Sequence, residues 1–362
     1  MTGLEPILFE PILKPRAWGS DRLRRYGKRI PIGGRFGESW EVADLPEPIV
    51  DGRSHVACGR WAGATLRDLL REHREELLGT TRLSPEGGFP LLVKFLDAHE
   101  HLSVQVHPDA AYAAKHPGAH LKTEAWVILE ADAGAVLFRG VHPEIDRERF
   151  FEDLNDRNGP GVLDHLVSIP VERGDCVYLP SGICHALGAG IVAAEVQTPS
   201  DTTFRVFDWN RHDPNRPLHV EQARQCMRFG SDQEDGVPGV VRNIAHTRRH
   251  GPMRDDPEAR VRDGIQTRML CSTDYFAIEW IDAMPAARMT ISTDRQPVIW
   301  CVIGGSADLC GPRGERLRLR IGDTALVPAA LEGWTAAFPD RSTILRTTMP
   351  TASRGESPAD PS

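Results

Sequence analysis

The sequence predicts a mainly β fold, built from two small β-barrels with helical insertions. Glycine (33 residues) and proline (28 residues) are frequent, which suits many short strands joined by turns better than a helical bundle. Outside a few helical segments, the chain consists of short apolar runs bounded by turn residues. One pattern of strand, turn and strand occurs twice, which indicates a duplicated β unit.

Three segments have the pattern of helices. Residues 65–78, TLRDLLREHREELL, begin with the capping residue Thr65 and carry leucines at helical spacing. A second helix is predicted at 143–156, with proline in its first turn. A third is predicted at 217–227. The predicted strands are 91–96, 102–107, 124–129, 135–138, 175–180, 191–197, 298–305 and 323–328.

The internal repeat is centred on two tryptophans. An apolar strand, a turn and a second strand surround both Trp126 and Trp300, and a Gly-x5-Pro segment follows each, at 174–180 and 322–328. The Trp-to-Gly interval is 48 residues in the first copy and 22 in the second. The surplus of 26 matches a helical insertion at about 141–166. A chance likeness of two β segments is the alternative, since such patterns are common.

Composition and charge exclude several classes of protein. The net charge of −8 argues against a general binder of nucleic acids or membrane surfaces. The seven cysteines are scattered and form no CxxC pair, so we expect reduced thiols in a cytoplasm. The first residues lack the pattern of a signal peptide, and no apolar run approaches membrane-spanning length.

One strand carries polar residues on a single face. In LSVQVHP, residues 102–108, the alternation of a strand turns Ser103, Gln105 and His107 to one side. Val104 and Val106 fall on the other side, where they can pack into a core. The polar face therefore needs an explanation.

A second segment resembles a known metal-site motif. Gly174 to His185 has the form G-x5-P-x-G-x2-H, which is similar to the second motif of the cupin superfamily. Gln105 and His107 occupy the place of that superfamily's His-x-His, and Glu124 follows 17 residues after His107. Two imidazoles, one carboxylate and one amide oxygen suit Zn²⁺ with an open position. The alternative is that each is an ordinary hydrogen-bonded polar residue.

This resemblance predicts two cupin-type β-barrels, or jelly rolls. The predicted domains are an N-terminal metal-binding domain (1–212), a helix and connector (213–264), a C-terminal barrel domain (265–350) and a disordered tail (351–362). The second Gly-x5-Pro segment has no histidine after it, so we expect the C-terminal barrel to hold no metal.

Basic residues surround the predicted metal ligands in the sequence. Lys122 lies two residues before Glu124, Lys94 lies in the apolar run LLVKFL, and Arg205 lies in SDTTFRVFDWNR. Singly, such side chains more often coat a surface. Together, in an acidic protein, they indicate an anionic, oxygen-rich ligand such as a sugar phosphate.

The chain as a whole resembles the type I mannose-6-phosphate isomerases of the short bacterial form. The resemblance is carried by RAWGSDRL (16–23), FGESWEVADLP (36–46), LVKFLDAHEHLSVQVHPD (92–109), LKTEAWVIL (121–129), PSGICHALGAG (180–190) and EVQTPSDTTFRVFDWNR (195–211). It implies one Zn²⁺ per chain, held by Gln105, His107, Glu124 and His185. It implies reversible conversion of mannose 6-phosphate and fructose 6-phosphate through a cis-enediol(ate).

The resemblance also implies roles for other residues. Arg205 matches the active-site arginine, and Ser103 and Lys94 match residues that line the phosphate and sugar site. Lys122, Glu195 and Trp18 match other positions of the pocket. Glu195 and Lys122 are candidates for proton transfer, with a metal-bound water as a third. The run VFDWNR lacks a lysine that longer members carry, and Arg211 is a substitute candidate.

Other functions stay open at this point. A cupin dioxygenase would hold Fe(II) with two histidines and a carboxylate. A non-catalytic sugar-binding cupin would need no open metal site. The same isomerisation of another hexose phosphate is the nearest alternative. The predicted partner is a small sugar phosphate, without nucleic acid or membrane, and we expect a monomer or a weak homodimer in the cytoplasm.

Overall fold

The structure is a computed structural model that describes residues 3–49, 51–156, 160–233, 240–241 and 260–350. The predicted tail, 351–362, and most of the predicted connector lie outside these residues. All seven cysteines are free thiols. Among the described residues, no helix is long and apolar enough to cross a membrane.

The described residues are mainly β, as predicted. In chain order the strands are β1 (Ile7–Leu8), β2 (Ile12–Ser20), β3 (Phe36–Val42), β4 (Leu92–Ala98), β5 (Val104–Val106), β6 (Glu124–Ala131), β7 (Val136–Val141), β8 (Leu166–Pro170), β9 (Cys176–Leu179), β10 (His185–Ala186), β11 (Ile191–Gln197), β12 (Phe204–Phe207), β13 (Val240–Val241), β14 (Arg260–Arg262), β15 (Ile265–Ser272), β16 (Ala277–Ala283), β17 (Arg288–Thr290), β18 (Val298–Gly304), β19 (Ser306–Cys310), β20 (Arg316–Arg320), β21 (Thr324–Val327), β22 (Thr335–Ala337) and β23 (Ser342–Thr348). The α-helices are α1 (Leu66–Leu78), α2 (Ala110–Ala113), α3 (Arg147–Asp156) and α4 (Val220–Cys226), and 3₁₀ turns lie at Arg22–Tyr26, Pro160–His165 and Gly230–Gln233.

The first predicted helix is confirmed with its cap. Thr65 Oγ1 accepts a hydrogen bond from the backbone N–H of Asp68, and the Asp68 carboxylate accepts one from the N–H of Thr65. This reciprocal capping box satisfies two N–H groups that the first turn leaves without helical partners. Helix α1 therefore begins at Leu66, as the capping role of Thr65 predicted.

The other two predicted helices begin later than expected. Helix α3 starts at Arg147 rather than 143, because the Asp146 carboxylate accepts a hydrogen bond from the N–H of Arg149 and caps the helix there. Helix α4 starts at Val220 rather than 217. The N–H of His219 donates to the carbonyl of Arg205 at 2.7 Å, which ties the chain to β12 before the helix begins.

The chain divides into two compact units. The larger unit comprises Pro11–Asp51 and Leu91–Pro252, and the smaller comprises Met1–Glu10, Gly52–Pro90 and Met253–Ser362. The predicted N-terminal domain, 1–212, included residues 1–10 and 52–90. In the structure these two segments belong to the smaller unit. They group with the C-terminal strands because β1 pairs with β21, and because the N–H of Ala330 donates to Glu76 in α1.

The larger unit consists of two antiparallel sheets. One has the strand order β13-β9-β6-β11-β4-β3-β2, and the other has the order β12-β5-β10-β7-β8. An apolar cluster draws residues from both sheets, among them Trp126 of β6, Ala193 of β11 and Leu137 of β7. Burial of this shared core is what holds the two layers together.

The smaller unit repeats this plan. Its sheets have the orders β1-β21-β18-β23-β16-β15-β14 and β17-β22-β19-β20, and its apolar core again takes residues from both. The closure of each pair of sheets into a cupin-type barrel remains a prediction from the sequence.

The predicted internal repeat has a matching hydrogen-bond pattern in both units. The N–H of Gly174 donates to Ile128, two residues after Trp126, and the N–H of Gly322 donates to Val302, two residues after Trp300. Both glycines have positive φ, 90° and 87°, a conformation that L side chains rarely adopt. The glycine that opens each Gly-x5-Pro segment is therefore required by the same turn.

Candidate metal centre

The polar face of LSVQVHP is confirmed. Val104 and Val106 are buried in an apolar cluster on one side of β5, and Gln105 points to the other side. On the neighbouring strand β10, His185 lies directly opposite Gln105 in the antiparallel register. Residues opposite one another in such a pair share a face, so these two side chains lie next to each other.

The motif glycine Gly182 connects the two segments that carry the histidines. Its φ is 86°, and its N–H donates to the carbonyl of His107 at 2.9 Å. A residue with a Cβ would be strained in this conformation. The bend between Pro180 and His185 is thereby attached to the end of β5.

Glu124, the first residue of β6 in the other sheet, completes the cluster. Its Oε2 lies 3.5 Å from His107 Nε2, and its Oε1 lies 3.3 Å from His185 Nε2. One ligand atom from each of the three residues can be chosen so that all lie within 4.8 Å of one another. All three side chains are almost completely buried.

Hydrogen bonds set the tautomers of both histidines. His107 Nδ1 lies 3.0 Å from the carbonyl oxygen of Thr202, and His185 Nδ1 lies 2.8 Å from that of Ile183. A carbonyl only accepts, so each Nδ1 carries the proton and each Nε2 presents a lone pair to the centre. This arrangement is typical of metal-ligating histidines.

Several buried atoms of the centre are incompletely paired. Among the described residues, His107 Nε2 and Glu124 Oε1 have no hydrogen-bond partner, and Glu124 Oε2 has only its ion pair with Lys122. Buried polar atoms are normally paired, because an unpaired one costs about 1–3 kcal/mol. A divalent cation among these atoms would satisfy all three, so the donor set fits a divalent metal ion.

Burial and charge in the centre favour a neutral His107 imidazole and an ionised Glu124 carboxylate. Burial, and then the Lys122 ammonium, lower the pKa of His107 to about 3. For Glu124, burial acts to raise the pKa, but Lys122 and His107 outweigh it and hold the pKa well below its usual range. Lys122 Nζ lies 2.9 Å from Glu124 Oε2. These are the protonation states that metal ligation requires.

Gln105 reaches the centre with its amide in a defined orientation. Its Oε1 accepts a hydrogen bond from Ser103 Oγ at 3.1 Å, and its Nε2 lies 3.3 Å from His185 Nε2. The predicted fourth ligand is therefore brought to the cluster, although its NH₂ group faces the imidazole.

Lys94 and Glu195 form a second buried group on the neighbouring strands β4 and β11. Lys94 Nζ lies 3.0 Å from Glu195 Oε1, and the indole N–H of Trp126 donates to Glu195 Oε2. Burial acts to lower the pKa of Lys94, but Glu195 and Glu38 outweigh it and raise the pKa. Glu38 was not predicted as a site residue.

Arg205 lies on the same sheet face as the metal cluster. It is the register partner of Gln105 on β12, and Gln105 is in turn the partner of His185. Its Nε is buried, and no described residue accepts a hydrogen bond from it. Burial and the nearby Arg216 lower its pKa. The strand register therefore places the Arg205 guanidinium, with its unpaired Nε–H, beside the predicted metal ligands.

Trp18 and Arg211, which were predicted to contact the substrate, instead contact other parts of the protein. Trp18 is buried in the apolar cluster that contains Trp126. Arg211 donates to Asp208 at 3.0 Å and to the carbonyl of His101 at 2.7 Å. Their predicted contact with a substrate stays a prediction.

Gln197 is a buried polar residue that the sequence analysis missed. It lies opposite Glu124 in the register of β11 and β6, and its Nε2 donates to the carbonyls of Thr198 and Ser200. Its Oε1 accepts no hydrogen bond from the residues that the structure describes. Strand alternation could have pointed to it, because Gln197 follows Glu195 by two residues and shares its face.

Comparisons with known proteins agree on one family. Residues 8–128 match the family described as phosphomannose isomerase type I, catalytic domain. A mannose-6-phosphate isomerase of Streptococcus mutans is 33% identical over 335 residues, 91% of this chain and 94% of that protein. A probable mannose-6-phosphate isomerase of Bacillus subtilis, GmuF, is 39% identical over 331 residues, 90% of this chain and 93% of that protein.

A solved structure has the same fold. The crystal structure of the mannose 6-phosphate isomerase from Bacillus subtilis superposes with a TM-score of 0.78 at 30% identity, covering 95% of this chain and 99% of that one. The buried histidine and carboxylate cluster, the matched region and the full-length relatives all lead to the same assignment. The chain is an enzyme that belongs to the family of type I mannose-6-phosphate isomerases.

Proposed function

We propose that this chain interconverts mannose 6-phosphate and fructose 6-phosphate with one Zn²⁺ held by Gln105, His107, Glu124 and His185. The observation that carries the proposal is the buried cluster of His107, Glu124 and His185, whose ligand atoms converge. Within the part of the chain that the structure describes, His107 Nε2 and Glu124 Oε1 have no hydrogen-bond partner. Two imidazoles, a carboxylate and an amide oxygen suit zinc, whose catalytic sites keep a position open for substrate or water. Zinc would supply electrophilic stabilisation of the oxygens that become negative during the reaction.

The reaction moves a proton between C2 and C1 of the open-chain sugar through a cis-enediol(ate). Arg205 would direct its guanidinium at the developing oxyanion. Its unpaired Nε–H, which is available to donate, supports this role. Glu195 and Lys122 are the proposed proton carriers. Lys122 pairs with Glu124 of the cluster, and Glu195 accepts a hydrogen bond from Trp126, whose ring centroid lies 5.4 Å from that of His185. The hydrogen bond from Trp126 and the ion pair with Lys94 would keep the Glu195 carboxylate in place.

The phosphate and sugar hydroxyls need residues remote from the reacting carbons. Lys94 and Ser103 are proposed for this role, with Arg211 and Trp18 as further candidates. The Lys94 ammonium has three donors, so its pairing with Glu195 does not use up its capacity. Binding energy from the phosphate would help position C1 and C2.

The proposal also covers the closure of the barrels, the oligomeric state and location of the protein, and its small-molecule partner. Each pair of sheets would form a cupin-type barrel, which the shared core and the repeated glycine turn support. We propose a monomer or weak homodimer in the cytoplasm. The seven free thiols support the cytoplasmic location. The small-molecule partner would be a sugar phosphate, without nucleic acid or membrane.

The direct test is a coupled isomerase assay with mannose 6-phosphate before and after chelation. Activity should vanish with the metal, return on addition of zinc, and be absent from His185→Ala under all conditions. His116→Ala is the matched control, because His116 is exposed and stacks on Tyr112. Activity that ignores both the chelator and His185→Ala would end the zinc proposal.

The same preparation distinguishes the other functions. Oxygen uptake that depends on substrate and Fe(II) would favour a dioxygenase. Binding of mannose 6-phosphate without turnover in zinc-loaded protein would favour a sugar-binding module. Faster turnover of another hexose phosphate would keep the chemistry and change the substrate.

A further inference from the structure

The side-chain amide of Gln105 lies between a serine and an imidazole. Ser103 Oγ is 3.1 Å from Gln105 Oε1, and Gln105 Nε2 is 3.3 Å from His185 Nε2. Ser103 and Gln105 are only 2% and 8% exposed. Solvent therefore has little access to these groups, and each depends on its protein neighbours for hydrogen bonds.

The tautomer of His185 determines the direction of the hydrogen bonds among Ser103, Gln105 and His185. In the neutral imidazole, which is the form that ligates a metal, His185 uses its Nδ1 proton on the carbonyl of Ile183, so its Nε2 can only accept. Gln105 must then turn its NH₂ group toward His185 and its oxygen toward Ser103. It follows that the Ser103 hydroxyl is the donor to Gln105 Oε1.

A cation beside His185 Nε2 requires the opposite orientation. An amide ligates a metal through its oxygen, because its NH₂ group offers donors and no available lone pair. Rotation of the amide by about 180° about its last side-chain bond exchanges its N and O positions, so Nε2 then faces Ser103. A serine hydroxyl can accept as well as donate, so Ser103 can satisfy both orientations.

We propose that Ser103 is a positioning residue for the metal ligand Gln105, and that its hydroxyl changes from donor to acceptor when the amide oxygen turns to the bound zinc. The inference rests on the proposed function, since it presupposes zinc at this centre. The hydroxyl proton of Ser103 is then free to be donated elsewhere. An anionic oxygen, such as one of a substrate phosphate, is the acceptor that this proton favours.

The proposal links metal occupancy to the hydrogen bonds that Ser103 can make. Without zinc, the Ser103 proton is used on Gln105; with zinc, it is available to substrate. By thermodynamic linkage, a phosphorylated sugar that accepts this proton must also favour the zinc-bound orientation of the amide.

The test measures zinc affinity by competition with a chromophoric chelator, without reference to activity. Ser103→Ala removes the acceptor for the turned amide as well as the donor to the metal-free amide, and a buried N–H without an acceptor is tolerated less readily than an under-satisfied carbonyl. We therefore expect its zinc Kd to rise by about ten-fold, as for other residues that orient metal ligands. Ser103→Thr keeps the hydroxyl and should stay within about two-fold of wild type. Ser39→Ala is the matched control, since Ser39 is also a buried strand serine that donates to a side-chain oxygen, on Glu41.

A double-mutant cycle separates orientation from general structure. In Gln105→Glu, both side-chain oxygens are equivalent, so no turning of the group is needed to ligate zinc. Adding Ser103→Ala to that background should change zinc affinity by about two-fold or less. Thermal unfolding of each metal-free variant verifies that it is folded.

The outcomes separate this inference from the function on which it rests. Failure of wild-type protein to bind zinc would overturn the proposed function and this inference with it. Zinc binding by wild type that Ser103→Ala leaves unchanged would overturn only the role of Ser103. An equal effect of Ser103→Ala in both backgrounds would also overturn it, because orientation would not be the cause.

Discussion

Lys94 and Glu195 form a buried ion pair across two neighbouring strands, with Nζ and Oε1 3.0 Å apart. Each residue is only 4% exposed. Removing one partner of such a pair leaves an uncompensated buried charge, which costs about 3–5 kcal/mol. We therefore expect Lys94→Met to lower the free energy of unfolding by that order, measured by urea denaturation.

The double variant Lys94→Met/Glu195→Leu tests the cause of that loss. It removes both charges, so it should be more stable than Lys94→Met alone by at least about 1 kcal/mol. A double variant as unstable as the sum of the single variants would mean that the two charges do not compensate one another.

Glu38 should make the stability of the larger unit depend on acid pH. Burial acts to raise the pKa of Glu38, but Lys94 and Arg16 outweigh it and lower the pKa to about 2 from a usual 4.5. A carboxylate with a lowered folded-state pKa stabilises the protein above its unfolded pKa and loses that effect as the pH falls. Between pH 5 and 3, wild type should lose about 2 kcal/mol more than Glu38→Gln.

Urea denaturation of metal-free protein at several pH values measures this difference. Glu130→Gln is the control, because Glu130 pairs with the exposed Arg25 at the surface. Equal slopes of unfolding free energy against pH for wild type and Glu38→Gln would contradict the prediction.

Zinc should stabilise the folded protein as well as activate it. A ligand that binds only the folded state adds about 2.7 kcal/mol when its concentration is one hundred times its Kd. We expect a rise in the unfolding temperature on addition of zinc to metal-free wild type and to His116→Ala. His185→Ala should show no such rise, since it lacks one of the buried ligands. A zinc-dependent rise that persists in His185→Ala would place the metal elsewhere.

Arg205 and Arg211 should respond differently to substitution by lysine. Arg205 Nε has no partner, so Arg205→Lys removes no hydrogen bond from that atom. We expect little change in stability and a fall in kcat by roughly 10²–10³, as for the loss of one donor to a developing oxyanion. Arg211 instead donates to Asp208 and to the carbonyl of His101, so Arg211→Lys should mainly lower stability.

Steady-state kinetics and urea denaturation on both variants check this contrast. A kcat for Arg205→Lys close to that of wild type would exclude the oxyanion role. A stability loss in Arg205→Lys as large as in Arg211→Lys would instead indicate a structural role.

Gln197 should support the centre through the loop that follows β11. Its Nε2 donates to the carbonyls of Thr198 and Ser200, and Thr202 in the same loop holds the ring of His107. The Thr198 carbonyl also accepts from the N–H of Ser200, but Gln197→Leu would leave the buried carbonyl of Ser200 without its donor. We therefore expect a loss of about 2 kcal/mol in unfolding free energy. Zinc affinity should weaken as well, measured by chelator competition. Unchanged zinc affinity would show that the loop does not orient His107.

Much of the centre could be predicted because its signals are local. The alternation of LSVQVHP places Ser103, Gln105 and His107 on one face whatever the rest of the chain does. The glycine turns of the Gly-x5-Pro segments follow from conformations that only glycine adopts easily. The helix α1 was predictable for the same reason, since its cap lies within four residues of sequence.

The partners of these residues were not predictable, because they depend on which strands lie side by side. No local pattern relates Glu195 to Lys94, Glu38 to Lys94, or Arg211 to the carbonyl of His101. Likewise, the grouping of 52–90 with the C-terminal strands depends on pairing between distant segments. The burial of Trp18 in the apolar core has the same origin.

By itself, the sequence determined the mainly β class, and it predicted the repeated β unit and the side chains that we propose as zinc ligands. Only the tertiary structure decided the tautomer of each histidine, the direction of the Gln105 amide and the unpaired state of Arg205 Nε. The physical reason is that strand alternation acts over two residues, whereas proton positions and ion pairs depend on neighbours up to a hundred residues away, brought together by burial of a common core.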